Sequence, residues 1–490
     1  MSARRVLAVA LVVVAGAGGC AVGPNYVRPT ATTPDAYKEV AGWVHAQPRD
    51  DLPHGAWWDV FADRDLSALV AQLDVSSQTL LAAEAQVRQA RALVREARAS
   101  YFPQVTIGAG IARSHAAENV TSSSTGSVIV RPGTTSTFTL PLDVSWEPDL
   151  WGRVRRSVES NQAAAQASVA DLESVRLSVQ AEIAQDYFLL RALDAETALL
   201  ARTIEADTRA LTLTQSREAV GVASRVDVAQ AETQLRAVQA QQVDLGVQRA
   251  QLEHAIAILI GRAPSDLSLA PAPLAAEPPA IPVGVPSALL QRRPDVAAAE
   301  RRVAAANAQI GVATAAFFPT VTLSASAGFQ SSGISSWLTA PSHFWSVGAS
   351  VSETVIDGGF RGAQRDQVRA AYDATVAMYR QTVLTGFQEV EDNLAALGLL
   401  EREAAIQNDA VAAAQEALAL TLSQYQAGTV SYLNVVVAQT TALTNEFTAE
   451  VIRGRRMVAS ALLVKALGGG WSAAGLPSAR EVTRRCADSC

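Results

Sequence analysis

The sequence predicts a mainly α fold with a smaller β part, laid out as two pseudo-repeats. Three observations predict it. The chain is written twice: Tyr101-Phe102-Pro103-Gln104-Val105-Thr106 returns 216 positions later as Phe317-Phe318-Pro319-Thr320-Val321-Thr322. From Gly152 onward the shift is 207, so that Gly152 falls on Gly359, Glu182 on Glu389, Gly221 on Gly428, Ser224 on Ser431 and Gly261 on Gly468. Second, no proline occurs between Pro148 and Pro264 or between Pro341 and Pro477. Proline breaks helix interiors, so these alanine-rich stretches read as very long helices. Third, segments alternating apolar and small or polar residues lie in each copy near the point where the shift changes. A unit this long is not a solenoid repeat; it reads as half of a pseudo-twofold.

Taken in order, residues 1–19 read as a signal peptide. Arg4-Arg5 precede an apolar run from Val6 to Ala15, and small residues Ala17-Gly18-Gly19 lead to Cys20. A Cys at that point marks a bacterial lipobox, with Cys20 as the acylated first residue of the mature chain; the plainer reading is an ordinary signal peptide with a chance Cys. Two or three acyl chains, at roughly 0.8 kcal/mol per buried methylene, make a stable anchor. Ala21, rather than Asp, after the Cys is compatible with export to an outer membrane. Residues 20–62 read as an N-terminal arm of turn-like composition.

The first repeat spans 63–262, with a β-hairpin at about 103–147, and the second spans 287–468, with a β-hairpin at about 319–356. Expected strands are Gln104–Ile111, Thr137–Trp146, Thr320–Phe329 and Phe344–Val355, each about ten residues with one apolar face. That is the length and pattern of transmembrane strands, with Trp146, Trp151, Trp337, Phe344 and Trp345 suited to an aromatic girdle; the alternative is a soluble sandwich edge. Four strands close no barrel and a bilayer tolerates no open edge, so a membrane sheet here requires several chains.

In the first long helix Val169, Leu172, Val179, Ile183, Tyr187, Leu190, Leu193, Leu200, Ile204 and Leu211 form a seam for lateral packing. Running from Gly152 to about Arg217, it would reach on the order of 100 Å. It turns at Gly221-Val222-Ala223-Ser224, and the second copy turns at Gly428-Thr429-Val430-Ser431. Gly221 suits a left-handed C-cap and Ser224 an N-cap. These two tips, small in side chain, are the candidate docking surface for another helical hairpin. Glu218 and Asp227 flank the first tip and are candidate gate residues, or else ordinary solvated helix ends. Residues 263–286 read as a Pro/Ala-rich linker and 469–490 as a disordered tail. Cys486 and Cys490 in that tail either pair in an oxidising compartment or are incidental thiols.

Composition narrows the function. Nearly half the residues are hydrophobic and 18% charged, with a net charge of −7 and no long apolar run beyond the N-terminus. That excludes a cationic nucleic-acid surface and a helical membrane span. His45, His54, His115, His254 and His343 are scattered without ligand spacing, and no nucleophile elbow or phosphate loop occurs, so neither catalysis nor a metal or cofactor is expected.

The motifs resemble a known family. Cys20-Ala21-Val22-Gly23-Pro24-Asn25-Tyr26-Val27-Arg28-Pro29, Trp57-Trp58, Leu289-Leu290-Gln291-Arg292-Arg293-Pro294-Asp295-Val296, Asp357-Gly358-Gly359 and Tyr425-Gln426-Ala427-Gly428-Thr429-Val430-Ser431-Tyr432-Leu433 are similar to lipidated outer-membrane factors (TolC/OprM-like, NodT-type) of tripartite efflux systems. The resemblance covers roughly 20–470. It implies a homotrimer in which each chain gives four strands to a 12-stranded outer-membrane barrel, continued by a helical tunnel across the periplasm. It also implies a periplasmic adaptor at the tips and an inner-membrane pump, commonly of the resistance-nodulation-division class. Family gates use carboxylate rings; the second tip here carries no acid. Competing readings are a type I secretion exit duct, which shares the fold, and a periplasmic coiled-coil adaptor, which does not account for the strands.

Overall fold

A computed structural model describes residues 21–40, 56–115, 133–272, 274, 277–281 and 286–483. Two short helices, α1 (Arg64–Ser76) and α2 (Gln78–Ala99), lead into β1 (Gln104–Ile107), β2 (Gly110–His115) and β3 (Thr134–Trp146). The first long hairpin follows as α3 (Arg153–Ala219) and α4 (Arg225–Leu259). The second half repeats this with α5 (Pro294–Ala315), β4 (Thr320–Ser331), β5 (His343–Ser352), α6 (Phe360–Gln426) and α7 (Tyr432–Ala466). The duplication is carried into lengths: α3 and α6 have 67 residues each, α4 and α7 have 35, and α2 and α5 have 22. At 1.5 Å per residue, α3 and α6 each run about 100 Å.

α3 is the axis of the chain, packing along α2, α4, α5 and α7, while α6 packs on α5 and α7. Val179, Ile183, Tyr187, Leu190, Leu193 and Leu200 of its seam are buried, and Ile204 and Leu211 pack partly buried further down. The main core gathers where α1, α3, α5, α6 and α7 converge, around Trp57, Leu73, Ile183, Phe188, Val303, Leu394 and Val464. Towards the hairpin tips the core thins to two small clusters, Leu193-Leu200-Val238-Leu245 and Ala231-Tyr425-Tyr432-Val435.

Buried arginines tie the irregular segments to this core. Arg191 donates to Asp65 (3.2 Å), Asp194 (3.1 Å) and the Ala270 carbonyl (2.7 Å), and Arg249 reaches Asp194 (2.7 Å) and the Leu269 carbonyl (2.6 Å), pinning the described part of the inter-repeat linker. Arg293 binds Asp295 (2.7 Å), Glu389 (2.6 Å) and the Ala466 carbonyl (3.1 Å). Charge-assisted bonds of this kind satisfy groups that burial would otherwise leave costly.

Two expectations are corrected. The segment after Gly468, expected to be disordered, is laid along α3 as far as Thr483: Gln166 Nε2 donates to the Pro477 carbonyl (3.0 Å) and Gln162 Nε2 to the Ala479 carbonyl (3.3 Å). Val482 is buried with Val94 and Ala165, which supplies the apolar contact that the tail's composition concealed. Cys486 and Cys490 lie outside the described residues, as do residues 1–20 and His45 and His54. The expected strand Gln104–Ile111 is two strands, because Pro141 on the facing strand has no N–H to give to the ladder.

Trp57 is 1% exposed and donates from Nε1 to Gln180 Oε1 (3.0 Å), with its ring edge-on to Trp58 and Phe61. Trp57→Ala should cost about 3–5 kcal/mol through the cavity and the orphaned Gln180. Thermal melting followed by helical circular dichroism checks this; a change below about 1 kcal/mol would show that Trp57 does not hold α1 to α3.

Candidate functional site: a two-faced sheet and two helical tips

All strand pairs are antiparallel, in the order β1–β3–β4–β5, with β2 also on β3. Ile107 faces Leu142 and Gly110 faces Thr139, so β1 and β2 keep one register and occupy a single strand position. The sheet therefore has four positions and two unpaired edges among the described residues.

Register sorts the side chains onto two unlike faces. Val105 lies opposite Val144, Val144 opposite Ala325, and Ala325 opposite Val347. A second row runs Ile107, Leu142, Ala327, Trp345, and a third Ile111, Phe138, Ser331. The alternate residues give the other face: Thr106, Asp143, Ser326 and Ser346 in one row, Gln104, Ser145, Ser324 and Gly348 in the next. One face is apolar and exposed at Ile107, Ile111, Trp345, Val347 and Val351; the other is small and polar except at the Pro141-Gly328-Phe344 row, which sets Phe344, expected in the aromatic girdle, on the face opposite Trp345. No helix of the described residues is long and apolar enough to cross a membrane. The exposed apolar face of the sheet has the pattern of a lipid-facing strand surface.

Aromatic residues stand at both ends of the strands. Trp146 donates to the Tyr101 carbonyl (3.0 Å), and Trp151 stacks on Phe318 and donates to the Pro319 carbonyl (2.7 Å). Trp337 lies 5.8 Å from Phe138 at the opposite end. The arm enters at the Trp151 end. Val22 N donates to the Trp151 carbonyl (3.1 Å), Ala21 packs on Gly152, and Arg156 clasps the Val22 carbonyl (3.2 Å) and Asn25 Oδ1 (3.0 Å). Asn307 holds the Pro24 carbonyl (3.1 Å), and Tyr26 bonds Glu300 under the Arg301 guanidinium. Cys20 itself lies outside the described residues.

At the far end the two tips have the same backbone. Gly221 (φ 76°) donates to the Glu218 carbonyl (2.8 Å) and Val222 to Arg217 (2.8 Å); Gly428 (φ 75°) donates to Tyr425 (3.0 Å) and Thr429 to Gln424 (3.0 Å). This paired pattern closes a helix only when the residue after the cap is left-handed, which explains glycine at both. Val222, Ser224, Thr429 and Ser431 are exposed, while Ala223 and Val430 are half-buried. Asp227, a candidate gate residue, is used inside its own turn: Ser224 N donates to Asp227 Oδ2 (2.8 Å) and Asp227 N to Ser224 Oγ (3.2 Å), a reciprocal capping box. Glu218 stands half-buried beside it.

Three tip residues, two of them inside the motif at the second tip, have no role assigned from the sequence. Arg217 lies 4.7 Å over the Tyr425 ring and donates to the Tyr425 carbonyl (3.2 Å); Tyr425 meets Tyr432 edge-on at 5.3 Å. One hairpin is thereby clipped to the other. The signal that could have found them is inequality between the copies: Tyr425 and Tyr432 stand where the first repeat has Glu218 and Arg225.

Asp207 carries the same signal. Its repeat equivalent is Ala414, a buried seam position, yet Asp207 is 2% exposed and its Oδ2 has no hydrogen-bond partner. It lines a cleft of about 380 Å³ with Arg202, Thr203, Gln415, Gln439 and Glu446, and Gln439 Oε1 is likewise unpaired. Burial pushes the Asp207 carboxyl up to about 6. A carboxyl raised in the folded state favours folding while protonated, and that advantage is lost as pH rises from about 4 to 6. Asp207→Asn should therefore raise stability at pH 7.5, by at most roughly 3 kcal/mol at ~1.4 per unit, and leave pH 4 stability nearly unchanged. Melting temperatures at both pH values read this; equal effects at both would refute it.

The described residues hold no cluster of His, Cys, Asp and Glu able to bind a metal. A periplasm-length helical body continuous with a small two-faced sheet defines an outer-membrane channel component. Comparison with known proteins agrees. The model of the outer membrane efflux protein family matches residues 69–262 and 285–469. The antibiotic efflux pump outer membrane protein ArpC of Pseudomonas putida is 32% identical over 458 residues, covering 93% of each chain. The pyoverdine export outer membrane protein OpmQ of Pseudomonas aeruginosa is 33% identical over 417 residues, covering 85% of this chain and 87% of that one. Among solved structures, the outer-membrane channel OprN superposes with a TM-score of 0.84 at 31% identity, over 92% of this chain and all of that one. The CmeC channel of Campylobacter jejuni shares the fold, with a TM-score of 0.83 at 21% identity over 95% of this chain and 98% of that one. The chain belongs to the outer membrane efflux protein family, a family of channel components, and is an outer-membrane efflux channel.

Proposed function

We propose that three copies of this chain close a 12-stranded barrel in the outer membrane and a helical tunnel beneath it, forming the exit conduit of a tripartite pump for small molecules. The observation that carries the reading is the two-faced, four-position sheet with both edges unpaired. Hydrocarbon solvates no backbone edge, and three copies give an even strand number within the range of known barrels. Relatives named for antibiotic, toluene and pyoverdine export favour small cargo over a protein-secretion duct. The inner-membrane partner in this reading is a resistance-nodulation-division pump, reached through a periplasmic adaptor docked on the two tips. Cys20 carries the lipid anchor; the arm's attachment beside Trp151, level with the base of the sheet, supports that assignment.

Native mass of the detergent-extracted protein should give three chains, and a stable membrane-embedded monomer would overturn the conduit. The docking surface is tested separately. Val222→Arg and Thr429→Arg alter exposed tip residues whose side chains are not in the core. Each should leave the trimer intact while weakening adaptor cross-linking by about tenfold, the equivalent of ~1.4 kcal/mol. Normal efflux in the double variant would remove the tips from the interface. Acylation is read from the mass of the mature N-terminus, which Cys20→Ser should reduce to the unmodified chain.

A further inference from the structure

A cavity of the helical body lies at the junction of α3, α4 and α7. It measures about 690 Å³, within the ~300–1,000 Å³ range of sites for drug-sized ligands. Its walls are mostly apolar, including Leu193, Leu245, Leu252, Phe447 and Val451. Into these walls α3 sets one carboxylate, Glu196, which is 5% exposed. Its carboxylate oxygens are not sealed from solvent, and no cation is paired with it among the described residues.

The duplication supplies the contrast. The equivalent acid of the second repeat, Glu403, is half-exposed and lies 4.0 Å from Arg455. Glu196 has the same helical position but is buried and unmatched. An isolated carboxylate in an apolar wall is costly unless a cation meets it, and the charged form is favoured by such a cation.

We propose that this cavity binds organic cations of drug size, an ammonium group set against Glu196 with its apolar body against Leu245, Leu252 and Phe447. This names a cargo class for the conduit reading and rests on it only for how the ligand arrives; binding to the purified protein is independent of transport. The neighbouring charges favour a cation. Glu450 of α7 adds negative potential, although Arg453 pairs with it at 3.0 Å; Arg455 also lines the cavity and is paired with Glu403 at 4.0 Å. From α4 the cavity receives neutral Gln248 and Gln251, while Arg249 is engaged by Asp194 and Glu253. On α3 itself Arg191 is bound to Asp65 and Asp194. Burial, with Glu450 as the second cause, raises the Glu196 carboxyl to about 7. Cation binding should therefore strengthen as pH rises through that value.

The test uses the full-length protein in detergent and two probes of matched shape, naphthylmethylammonium and neutral naphthylmethanol, titrated by calorimetry. The cation should bind at pH 8 at least about tenfold more tightly than the alcohol, equivalent to ~1.4 kcal/mol, and lose most of that margin at pH 6. Glu196→Gln should equalise the two probes. Ala255→Phe, which adds a ring to the cavity wall, should weaken both. Equal binding of both probes to the unaltered protein would overturn the proposal, as would cation affinity untouched by Glu196→Gln. Absence of saturable binding, together with a higher melting temperature of Glu196→Gln oligomers, would also overturn it and assign the cavity to contact between copies of the chain. Failure of the trimer or of efflux with these binding results intact would sink the conduit reading and leave the site standing.

Discussion

The structure depends on one constraint: a backbone N–H or C=O in hydrocarbon must find a partner in protein. β1/β2 and β5 each leave a row of such groups unpaired, and the same sheet presents Ile107, Ile111, Trp345 and Val347 to its surroundings. Neither solvent suits both features of a solitary chain: lipid leaves the edges without partners, and water leaves the apolar face exposed. In the proposed trimer both are resolved, because pairing the edges of neighbouring copies would remove the edges and turn the apolar face outward together. The polar row of Thr106, Asp143, Ser326 and Ser346 then lines an interior. Length follows from the same closure: β3 and β5 run into α3 and α6 through short joints, so the wall of the body continues from the wall of the sheet.

Duplication explains the scaffold, and departures from duplication mark its special places. Backbone features repeat almost residue for residue, including the helix lengths and the two tip turns. Side chains that close the structure do not repeat. Arg217 clips Tyr425 in one direction only, Ser224 has a capping box that Ser431 lacks, and Asp207 and Glu196 bury acids that the second copy replaces by Ala414 or exposes at Glu403. A perfectly repeated chain would make neighbouring helices of the wall equivalent. These differences make the two hairpins distinct.

Much of this is legible in the amino-acid sequence. The long helices and tip turns are readable because proline and glycine act locally, within one or two residues of where they stand. The β-hairpins are readable from period-two alternation. What the sequence conceals depends on contacts between distant segments. The break at Gly108 is caused by Pro141, thirty-odd positions away, and the tail beyond Gly468 is held by Gln162, Gln166 and Val94, whose relation to it no local pattern encodes. Asp227 is readable as an acid near a tip, but only geometry shows its carboxylate spent on Ser224.

The distribution of apolar contact along the hairpins also decides where this wall can move. Near α1 and α5 the helices share a broad core, whereas the lowest cluster consists of Ala231, Tyr425, Tyr432 and Val435. Its three larger members all belong to the second hairpin and only Ala231 comes from the first, so the contact between the two tips is a part of the roughly 4.5–9 kcal/mol that burying three such side chains contributes. The Arg217 contact adds about 1 kcal/mol by cation–π attraction at a partly solvated site. A ligand that engages only parted tips can move such an equilibrium by no more than its differential affinity, and micromolar binding supplies about 8 kcal/mol. Parting α3 from α5 and α7 higher up would expose Ile183, Phe188, Leu190 and Val464 together, a far larger loss. Apolar packing is thus thinnest at the lower end and broadest in the upper body.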